Sequence, residues 1–339
     1  MSDTVPAGGE ATPATPAATQ PGAPLVGVDL GGTLVRAAVA TGTASHATPV
    51  RHPTPAAGPP EGVLDAIAAA VRQTTGGVTP GGVAVGIPGP LDPATGVVYA
   101  TPNLRGWHDL PAQMLLEARL GCPVAIHNDA NLAGYAEWIA GAGRGARDMV
   151  FMTVSTGIGG GLILDGELYS GTAGTAGEIG HMIYDPDGPP CGQGHKGCLE
   201  GSASGTAIAR RALELLAAGA TSSLASVPAG HLDARAVGEA AAQGDALALR
   251  IFTDAAHALG LAVGGLLNLL SPGVVVIGGG LINAGDLLFV PLRAAVGEIA
   301  FASRIAHSRI VPAALGTDAG LVGAVAWAVR RFAVPSQGS

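Results

Sequence analysis

The stretch LVGVDLGGTLVRAAVA (25–40) does most to decide the fold class of this chain. Its first half, LVGVDLGG (25–32), is a short apolar run that ends in glycines, which predicts a strand followed by a tight turn. VRAAVA (35–40) is typical of the strand that returns from such a turn. Glycine lets the backbone approach an anion closely, and successive N–H groups then point at it. The stretch therefore predicts a β-hairpin with a turn that can hold phosphate.

A second unit of the same kind lies in the middle of the chain. VGVDLGGT (26–33) and MTVSTGIGGG (152–161) each place a glycine turn after an apolar strand, with a hydroxyl residue nearby. No period of about 20 to 50 residues recurs, so the sequence is not that of a solenoid. This weak echo indicates two related lobes.

Around these two units, predicted strands alternate with predicted helices, and glycine turns follow several of the strands. That pattern is typical of an α/β fold. The further predicted strands are VAVGIPGP (83–90), PVAIHND (123–129) and VVVIGGG (274–280). The predicted helices are EGVLDAIAAAVRQTT (61–75), a segment from about Ala130 to Ala140, most of 201–270 with a polar break near 219–232, and GLVGAVAWAVRRF (320–332).

Composition argues against several classes of function. The net charge is −8 without a basic block, which disfavours a nucleic-acid or membrane surface as the main partner. Three cysteines are too few for a disulfide scaffold, so a reducing, cytoplasmic location is expected. The apolar stretch ALGLAVGGLLNLL (258–270) is too short to span a bilayer and is predicted to be a buried helix.

The first 23 residues are mostly Ala, Pro, Thr and Gly, and they contain few large apolar side chains. Such a segment cannot offset the entropy lost on ordering, so a disordered tail is expected, with order beginning at Leu25. No Lys or Arg precedes Arg36 and no apolar segment of the signal-peptide type is present, so no signal peptide is expected.

Three glycine turns are candidate phosphate sites, at residues 29–33, 155–160 and 278–280. Threonine hydroxyls in the first two can add donors, and Asp29 can act on phosphate through a divalent cation, which prefers carboxylate and water oxygens. Each segment alone could be no more than a tight turn, but three such turns after apolar strands favour a binding role. None has the spacing of a P-loop or of a dinucleotide-binding turn.

With these turns in place, the sequence resembles the ROK family of sugar kinases, within the actin-like ATPase superfamily. The resemblance spans roughly Leu25 to Gly323, and its segments occur in the family's order. EIGH (178–181) followed by a cysteine-containing loop and GCLE (197–200) is highly specific to the family. The segments that carry the resemblance are VGVDLGGT (26–33), GIPGPLDPATGVV (86–98), TPNLRGW (101–107), HNDAN (127–131), STGIGGG (155–161), GTAGTAGEIGH (171–181), GCLEGSASG (197–205) and VVVIGGGL (274–281).

The resemblance implies an α/β, two-lobed actin-like ATPase fold, with a ribonuclease-H-like sheet in each lobe and a cleft between them. It implies a small lobe of residues 24–129 plus the C-terminal helix (318–333), and a large lobe of residues 130–317 that contains a zinc-type loop (181–198). ATP is expected mainly against the large lobe, and sugar in the cleft. Some family members are repressors with an added N-terminal winged helix; a low-complexity tail stands there in this chain, so the kinase branch is expected.

Asp129 is the candidate catalytic base. Phosphoryl transfer to a sugar hydroxyl needs a carboxylate that accepts the proton as the new bond forms. From the residues alone, Asn128 or Asp129 could equally be the cap of the following helix. The match of HNDAN (127–131) to the family motif favours catalysis, and both roles can coexist because a helix N-terminus favours an anion.

Five further residues are candidates for binding sugar hydroxyls, together with Asp129 itself. An amide offers a donor and an acceptor to a hydroxyl, and a carboxylate accepts from it. The amide that follows Pro102 could be only a turn residue, and either glutamate could be only a solvated charge. The candidates are Asn103, Asn128, Glu178, His181 and Glu200.

The resemblance also assigns the nucleotide ligands. Asp29 is expected to position Mg²⁺ through water. The glycines and threonines of the first two turns are expected to line two phosphate sites, and the third turn is expected near adenosine. The residues are Gly31, Gly32 and Thr33 for one phosphate site, Thr156, Gly157 and Gly159 for the other, and Gly279 and Gly280 for adenosine.

The loop CGQGHKGC (191–198) departs from the zinc loop of the family. That loop resembles a His, about ten further residues, and then Cys-x-Cys-Gly-x-x-Gly-Cys. Here His181, Cys191 and Cys198 occupy three ligand positions, and Gln193 stands where the middle cysteine is expected. Gln is a poor zinc ligand compared with thiolate, so weakened zinc binding is expected.

Several arrangements of this loop fit the sequence. Water or the amide oxygen of Gln193 can complete the zinc site, or His195 can supply a fourth ligand and close a Cys₂His₂ site. Alternatively, zinc is lost and packing holds the loop, or Cys191 and Cys198 form a disulfide, which a reducing cytoplasm disfavours. If bound, zinc would hold one ring nitrogen of His181 and leave the other for the sugar.

The expected reaction is ATP-dependent phosphorylation of a hexose at its 6-hydroxyl, with Mg²⁺ and with glucose as the favoured acceptor. Fructose, mannose, N-acetylglucosamine and N-acetylmannosamine stay open as acceptors, and polyphosphate stays open as donor. A sugar-sensing regulator would need a DNA-binding element, which neither the tail nor the charge supplies. A non-enzymatic sugar-binding protein is disfavoured, because Asp129 and both phosphate turns are present. The family further implies a homodimer or higher homo-oligomer without a nucleic-acid or membrane partner.

Overall fold

The computed structural model describes residues 22–333. All but the last two residues of the predicted tail (1–23) lie outside the described residues. The strands are β1 (Leu25–Leu30), β2 (Leu34–Gly42), β3 (Ser45–His46), β4 (Val50–Pro53), β5 (Gly82–Ile87), β6 (Leu91–Asp92), β7 (Val97–Ala100), β8 (His108–Leu110), β9 (Val124–Asn128), β10 (Met149–Val154), β11 (Ile158–Leu164), β12 (Glu167–Tyr169), β13 (Val274–Gly278) and β14 (Arg309–Pro312). The helices are α1 (Pro60–Thr74), α2 (Ala112–Leu120), α3 (Asp129–Ile139), α4 (Leu199–Ala203), α5 (Gly205–Ala217), α6 (Ala234–Ala242), α7 (Ala246–Leu270), α8 (Asp286–Ile299), α9 (Ala302–His307) and α10 (Ala319–Phe332).

Two sheets organise these elements, and they share one strand order. The first runs β3-β2-β1-β5-β9, with β4 also paired to β2, and the second runs β12-β11-β10-β13-β14. In each sheet a hairpin (β1–β2 or β10–β11) is antiparallel, and the next two strands run parallel to its first strand. The echo between the two glycine-turn units therefore reflects a repeated sheet topology, and the predicted α/β class is confirmed.

The central strands of both sheets are buried on both faces, because helices cover them. β5 and β13 are buried at every position, which explains their unbroken apolar sequences. One core contains α1 and α2 against the first sheet, and another contains α7 and α8 against the second sheet. A small third sheet, β6-β7-β8, lies beside the first.

Helix α7 is longer than the apolar segment that predicted it. Asp245 caps its N-terminus by accepting hydrogen bonds from the N–H groups of Leu247 and Ala248, at 3.0 Å each. Among the described residues it is the one helix long and apolar enough to cross a membrane, but 61% of its apolar window is buried inside the protein. It packs against α8, α6 and α4, as a core helix does.

Helix α10 returns from the end of the second sheet to the first, as the resemblance implied. It packs on β1, β5 and β2, and on its other side it packs on α3. A β-carbon at Gly323 would overlap the carbonyl oxygen of Leu132 on α3, so only glycine allows the two helices this close approach. Because α3 also packs on β10 and β11, it lies between the two sheets. The lobe boundary expected at 129/130 stays a prediction.

Candidate active site

The candidate site begins where β9 ends and α3 starts. Asn128 is the N-cap of α3: its Oδ1 accepts from the N–H of Asn131 at 3.0 Å, and its Nδ2 donates to the carbonyl oxygen of Gly89 at 3.1 Å. The helix-cap interpretation thus holds for Asn128. One N–H of its amide is left over for a ligand.

Asp129 is the first residue of α3, and it is partly buried. Its Oδ1 accepts from the N–H of Ala130 at 2.8 Å. Burial, and then the negative charge of Asp29, raise the pKa of Asp129 from 3.8 to about 6. A carboxylate with that pKa is ionised near pH 7 and is still basic enough to take a proton from a reacting hydroxyl.

Asp29 lies on β1 directly opposite Arg36 on β2. The Nε and Nη2 atoms of Arg36 donate to Oδ2 of Asp29 at 3.0 and 2.6 Å. Both donors therefore fall on a single carboxylate oxygen. The other oxygen, Oδ1, faces Gly320 in the first turn of α10, where a β-carbon would lie 2.6 Å away. Within residues 22–333, Oδ1 accepts no side-chain hydrogen bond, and the role of Asp29 toward Mg²⁺ stays a prediction.

The turn between β1 and β2 has its backbone only partly satisfied. The N–H of Gly31 donates to the carbonyl oxygen of Leu34 at 2.9 Å, and Thr54 donates to the carbonyl oxygens of Gly31 and Thr33. Within residues 22–333, the N–H groups of Gly32 and Thr33 have no backbone partner, and both residues are exposed. These two N–H groups are placed where they can donate to an anion, whereas the N–H of Gly31 is already bonded. The phosphate role of the turn stays a prediction.

Asn103 reaches this turn from the segment between β7 and β8. Its Cβ would lie 3.6 Å from a β-carbon placed on Gly32, and its side chain is exposed. Asn103, a predicted sugar-binding residue, and Gly32, a predicted phosphate-binding residue, are 71 positions apart in the chain and are neighbours in the fold.

The second turn, between β10 and β11, is fixed against α5. The N–H of Gly205 donates to the carbonyl oxygen of Ser155 at 2.7 Å, and Oγ1 of Thr206 donates to the carbonyl oxygen of Thr156 at 2.9 Å. Gly157 lies at the tip, where its carbonyl oxygen accepts from the N–H of Ser155 at 2.9 Å. Within the part of the chain that the structure describes, the hydroxyl of Thr156 itself makes no hydrogen bond.

Gly159 is inside β11, opposite Thr153, and not in the turn itself. A β-carbon there would lie 2.8 Å from the Cβ of Ala130, so the start of α3 passes close to this strand. The glycine at this position therefore allows helix–strand packing, and its contact with phosphate stays a prediction.

The third turn follows β13, the parallel neighbour of β10. Gly279 has a φ of +85°, and a β-carbon there would overlap the carbonyl group of Val154 at the end of β10. Gly280 has open space around its Cα. The second and third turns are therefore neighbours at one edge of the second sheet, on the side where nucleotide was predicted.

Glu200 and Glu178 meet near the second turn. Oε2 of Glu200 accepts from the N–H of Ile158 at 2.9 Å, which links a predicted sugar ligand to a phosphate turn. Burial raises the pKa of Glu178, while His181 lowers it and Glu200 raises it. Oε2 of Glu178 is 4.0 Å from Nε2 of His181. The three predicted sugar ligands of this segment thus come together.

His181 turns its other ring nitrogen to the cysteine loop. Its Nδ1 is 3.9 Å from Sγ of Cys191 and 3.3 Å from Nδ1 of His195. These three ligand atoms all lie within 4.8 Å of one another. In a tetrahedral zinc site with Zn–N of about 2.0–2.1 Å and Zn–S of about 2.3 Å, ligand atoms lie roughly 3.3–3.6 Å apart. The 3.3 Å between the two imidazole nitrogens fits that spacing, whereas the 3.9 Å to Sγ of Cys191 is longer. The three donors are therefore grouped as metal ligands are, without being closed to zinc distances.

The two other candidate ligands of the loop lie differently. Cys198 is buried outside that group, with its Sγ 3.7 Å from the carbonyl oxygen of His195. Burial, and the neighbouring Cys191, raise the pKa of Cys198. Gln193 is exposed and makes no side-chain hydrogen bond within the described part of the chain. All three cysteines are free thiols, so Cys191 and Cys198 are not joined in a disulfide.

Three residues of this region escaped sequence reasoning. Arg36 lies opposite Asp29 in the antiparallel pairing of β1 and β2, which are joined by residues 31–33. The sequence predicted that hairpin but not its register. Glu137 is fully buried, and two of its hydrogen-bond donors, the N–H groups of Ala314 and Leu315, lie 177 and 178 positions away. His127 is also buried: its Nδ1 accepts from the N–H of Asn128 at 3.0 Å, and its Nε2 lies 3.1 Å from Oγ of Ser170. Burial lowers the pKa of His127 to about 4. His127 is the first residue of HNDAN (127–131), but that motif gave it no role, and no motif marked Glu137.

Comparison with known proteins bears on the family and the fold of this chain. The model of the ROK family matches residues 25–331. A glucokinase from Thermotoga maritima is 38% identical over 303 residues, which cover 88% of this chain and 95% of that protein. The crystal structure of a ROK family glucokinase from Streptomyces griseus, in complex with glucose and AMPPNP, matches with a TM-score of 0.76 and 34% identity, over 91% of this chain and 99% of that one.

A ROK hexokinase from Thermus thermophilus matches with a TM-score of 0.75 and 35% identity, over 89% of this chain and 97% of that chain. The predicted two-lobed, actin-like ATPase fold is thereby confirmed. With the family model matched over nearly the whole described chain, this protein belongs to the ROK family.

Proposed function

We propose that this protein is an ATP-dependent sugar kinase that phosphorylates a hexose at its 6-hydroxyl, with glucose as the preferred acceptor. The observation that carries the proposal is Asp129: a carboxylate whose pKa is raised to about 6, next to Asp29 and to turns with free anion-binding groups. The identity to glucokinases supports glucose as the acceptor.

The reaction follows from the position of Asp129. As the hexose 6-oxygen attacks the γ-phosphorus, the new O–P bond forms and the bond from phosphorus to the β-γ bridging oxygen of ATP breaks. The hydroxyl proton passes to the Asp129 carboxylate, and ADP leaves with the bridging oxygen. The position of Asp129 at the N-terminus of α3 stabilises the anion before transfer, and burial strengthens its basicity.

The two hairpin turns are proposed to hold the phosphates. In the first, the N–H groups of Gly32 and Thr33 are free to donate, and in the second the hydroxyl of Thr156 is free. Oδ1 of Asp29 fits a role toward Mg²⁺, because Arg36 occupies only the other oxygen of that carboxylate. Mg²⁺ held there would neutralise charge on the transferring phosphate.

The sugar is proposed to lie between Asn103, the leftover N–H of Asn128, and the cluster of Glu178, His181 and Glu200. Glu200 has one oxygen on Ile158 and a second oxygen for a sugar hydroxyl. The other hexoses and N-acetylhexosamines named above are the alternative acceptors. Whether the site accepts glucose or one of these other sugars depends on the space beside the sugar ring.

A structural zinc ion is proposed in the loop, held by His181, Cys191 and His195, with Cys198 as the fourth ligand. The spacing of the first three donors supports this assignment. Zinc at Nδ1 would fix the ring of His181 and direct its Nε2 toward Glu178 and the sugar. His195 would then replace the cysteine that Gln193 displaces.

The proposal is tested by ADP release with Mg-ATP against glucose, mannose, fructose, N-acetylglucosamine and N-acetylmannosamine. We expect turnover with glucose, and a loss of kcat of about 10²–10⁴-fold in Asp129→Asn, because the amide cannot accept the proton. Sugar binding by calorimetry should persist in the variant. Turnover confined to an acetamido sugar would correct the substrate, and a fully active Asp129→Asn would contradict the assigned base.

The cellular location, the metabolic role and the oligomeric state of the protein are also part of the proposal. A cytoplasmic location and a role in glycolysis follow from a glucose-phosphorylating activity, and a homodimer is expected from the family. Polyphosphate, offered in place of ATP in the same assay, tests the choice of donor. We expect turnover with ATP to exceed that with polyphosphate.

A further inference from the structure

Glu137 is a fully buried carboxylate near the C-terminal end of α3. Its oxygens accept from three backbone N–H groups: from Ala142 at 2.8 Å, from Ala314 at 3.0 and 3.1 Å, and from Leu315 at 2.7 Å. A buried charge is costly unless hydrogen bonds compensate it, so this set of donors fixes the local backbone firmly. The fixed segment is the connection between β14 and α10, where the chain passes from the second sheet to the first.

The same connection then holds Arg36. Its Nη2 donates to the carbonyl oxygen of Thr317 at 2.7 Å, and its Nη1 lies 3.3 Å from Oδ1 of Asp318. The remaining donors of the guanidinium reach Oδ2 of Asp29 at 2.6 and 3.0 Å. The planar fork of Arg36 therefore joins the connection to Asp29, with only 18% of its side chain exposed.

Through these contacts, the positions of both candidate carboxylates, Asp129 and Asp29, depend on helix α3. Asp129 is the first residue of α3, and Glu137 lies two turns further along the same helix. From Glu137 the contacts run through residues 314–318 to Arg36 and so to Asp29. The spacing of the proposed base and the proposed Mg²⁺-side carboxylate then depends on α3, and not only on the packing of the sheets.

We propose that Arg36 is a positioning residue that aims Oδ1 of Asp29 at the Mg²⁺-nucleotide, and that Glu137 anchors Arg36 through the segment 314–318. The inference rests on the proposed kinase function and deepens it. It assigns to Arg36 an effect on Mg²⁺-dependent nucleotide binding and no contact with the sugar.

The test compares Arg36→Ala, Arg36→Lys and Glu137→Gln with wild type. Arg147→Ala is the matched control, because Arg147 forms an exposed pair with Asp165 and lies outside the site. Calorimetry measures AMPPNP binding with Mg²⁺ and with EDTA, and glucose binding separately. Thermal unfolding reports whether each variant is folded.

We expect Arg36→Ala to weaken Mg²⁺-AMPPNP binding by about 10–100-fold, which is typical for loss of a group that orients a metal-site ligand. Binding in EDTA and glucose binding should stay within about twofold of wild type, and KM for Mg-ATP should rise. Arg36→Lys should recover part of the loss, because the ammonium can pair with Asp29 but cannot also hold Thr317. Glu137→Gln should show a smaller loss of the same kind.

Equal Mg²⁺-AMPPNP affinity in Arg36→Ala and Arg147→Ala would overturn the inference, and so would parallel losses of glucose and nucleotide binding. These outcomes are distinguishable from failure of the proposed function. Wild-type protein that turns over no sugar contradicts the kinase proposal, whereas active wild type with an unaffected Arg36→Ala contradicts only the positioning role.

Discussion

At the scale of single residues, the raised pKa of Asp129 suits a catalytic base but lowers the stability of the fold at neutral pH. Its pKa is raised from 3.8 to about 6 by burial and by the charge of Asp29, so the folded protein prefers the protonated carboxyl. The contribution of this group to stability is therefore fully present below about pH 4 and is lost as the pH rises through about 6. At neutral pH, where the proposed base must be ionised, its charge destabilises the fold.

Asp129→Asn is therefore expected to stabilise the protein at pH 7.5 by up to about 3 kcal/mol, with the gain shrinking toward pH 4. Denaturant unfolding at the two pH values measures this difference. In the wild type, kcat/KM should rise with pH through about 6, because the base must lose its proton. Asp65→Asn, at an exposed carboxyl of α1, is the control and should change stability little. A variant less stable than wild type at pH 7.5 would contradict the assignment of the raised pKa.

At the scale of elements, the cysteine loop was the part that the motif described least well. The loop closes on itself, because the N–H of Cys191 donates to the carbonyl oxygen of His195 at 2.9 Å. That short bridge brings His195 to His181, 14 positions earlier in the chain. The sequence left Gln193 and His195 as alternatives for the fourth ligand, and the described geometry favours His195.

Zinc removal is expected to act on the loop and then on the sugar. Chelation should lower the melting temperature and weaken glucose binding, because the ring of His181 would no longer be held, while Asp129 stays in place. His195→Ala should lose at least about 10-fold in zinc affinity, measured by competition with a chromogenic chelator. His257→Ala, at a half-buried histidine on α7 that pairs with Glu298 and lies outside the cysteine loop, is the control. Wild-type protein that contains no zinc after purification would contradict the assignment, and so would an unchanged zinc affinity in His195→Ala.

The two hairpins show which features of an element the sequence carries. Apolar runs and glycine turns at 25–40 and 152–161 were enough to predict strands and turns, because strand patterning is local. The role of Gly159 was assigned to phosphate by its motif, whereas its position is inside β11 against the start of α3. A glycine in such a motif can make room either for a bound ligand or for a packed helix, and the motif does not say which.

At the scale of the whole molecule, the two sheets are joined where α10 crosses α3. Gly323 lies at that crossing, in contact with Leu132. Since α3 carries Asp129 and the N-terminus of α10 faces Asp29, this crossing sets the relative position of the two carboxylates. Stability and activity are expected to depend on it together.

Gly323→Ala is expected to destabilise the protein by about 3 kcal/mol, because the added methyl overlaps backbone that cannot rotate away. Gly297→Ala is the matched control, because Gly297 is an exposed helical glycine of α8 with open space at its Cα. That control should gain about 0.5–1 kcal/mol from the better helix former. Urea unfolding measures both changes, and a Gly323→Ala protein as stable as wild type would show that the helices can separate.

By itself, the sequence determined the α/β class, the paired hairpins, the course of the strands and helices, and the identity of most candidate ligands. These follow from local patterning and from motifs whose residues are close in the chain, such as HNDAN (127–131). Only the tertiary structure decided how Arg36 and Glu137 bear on Asp29, and that His195 stands beside His181. These contacts join residues 7 to 178 positions apart, and the raised pKa of Asp129 depends on burial and a neighbouring charge. Such properties arise from packing in three dimensions, which no periodicity or spacing along the chain encodes.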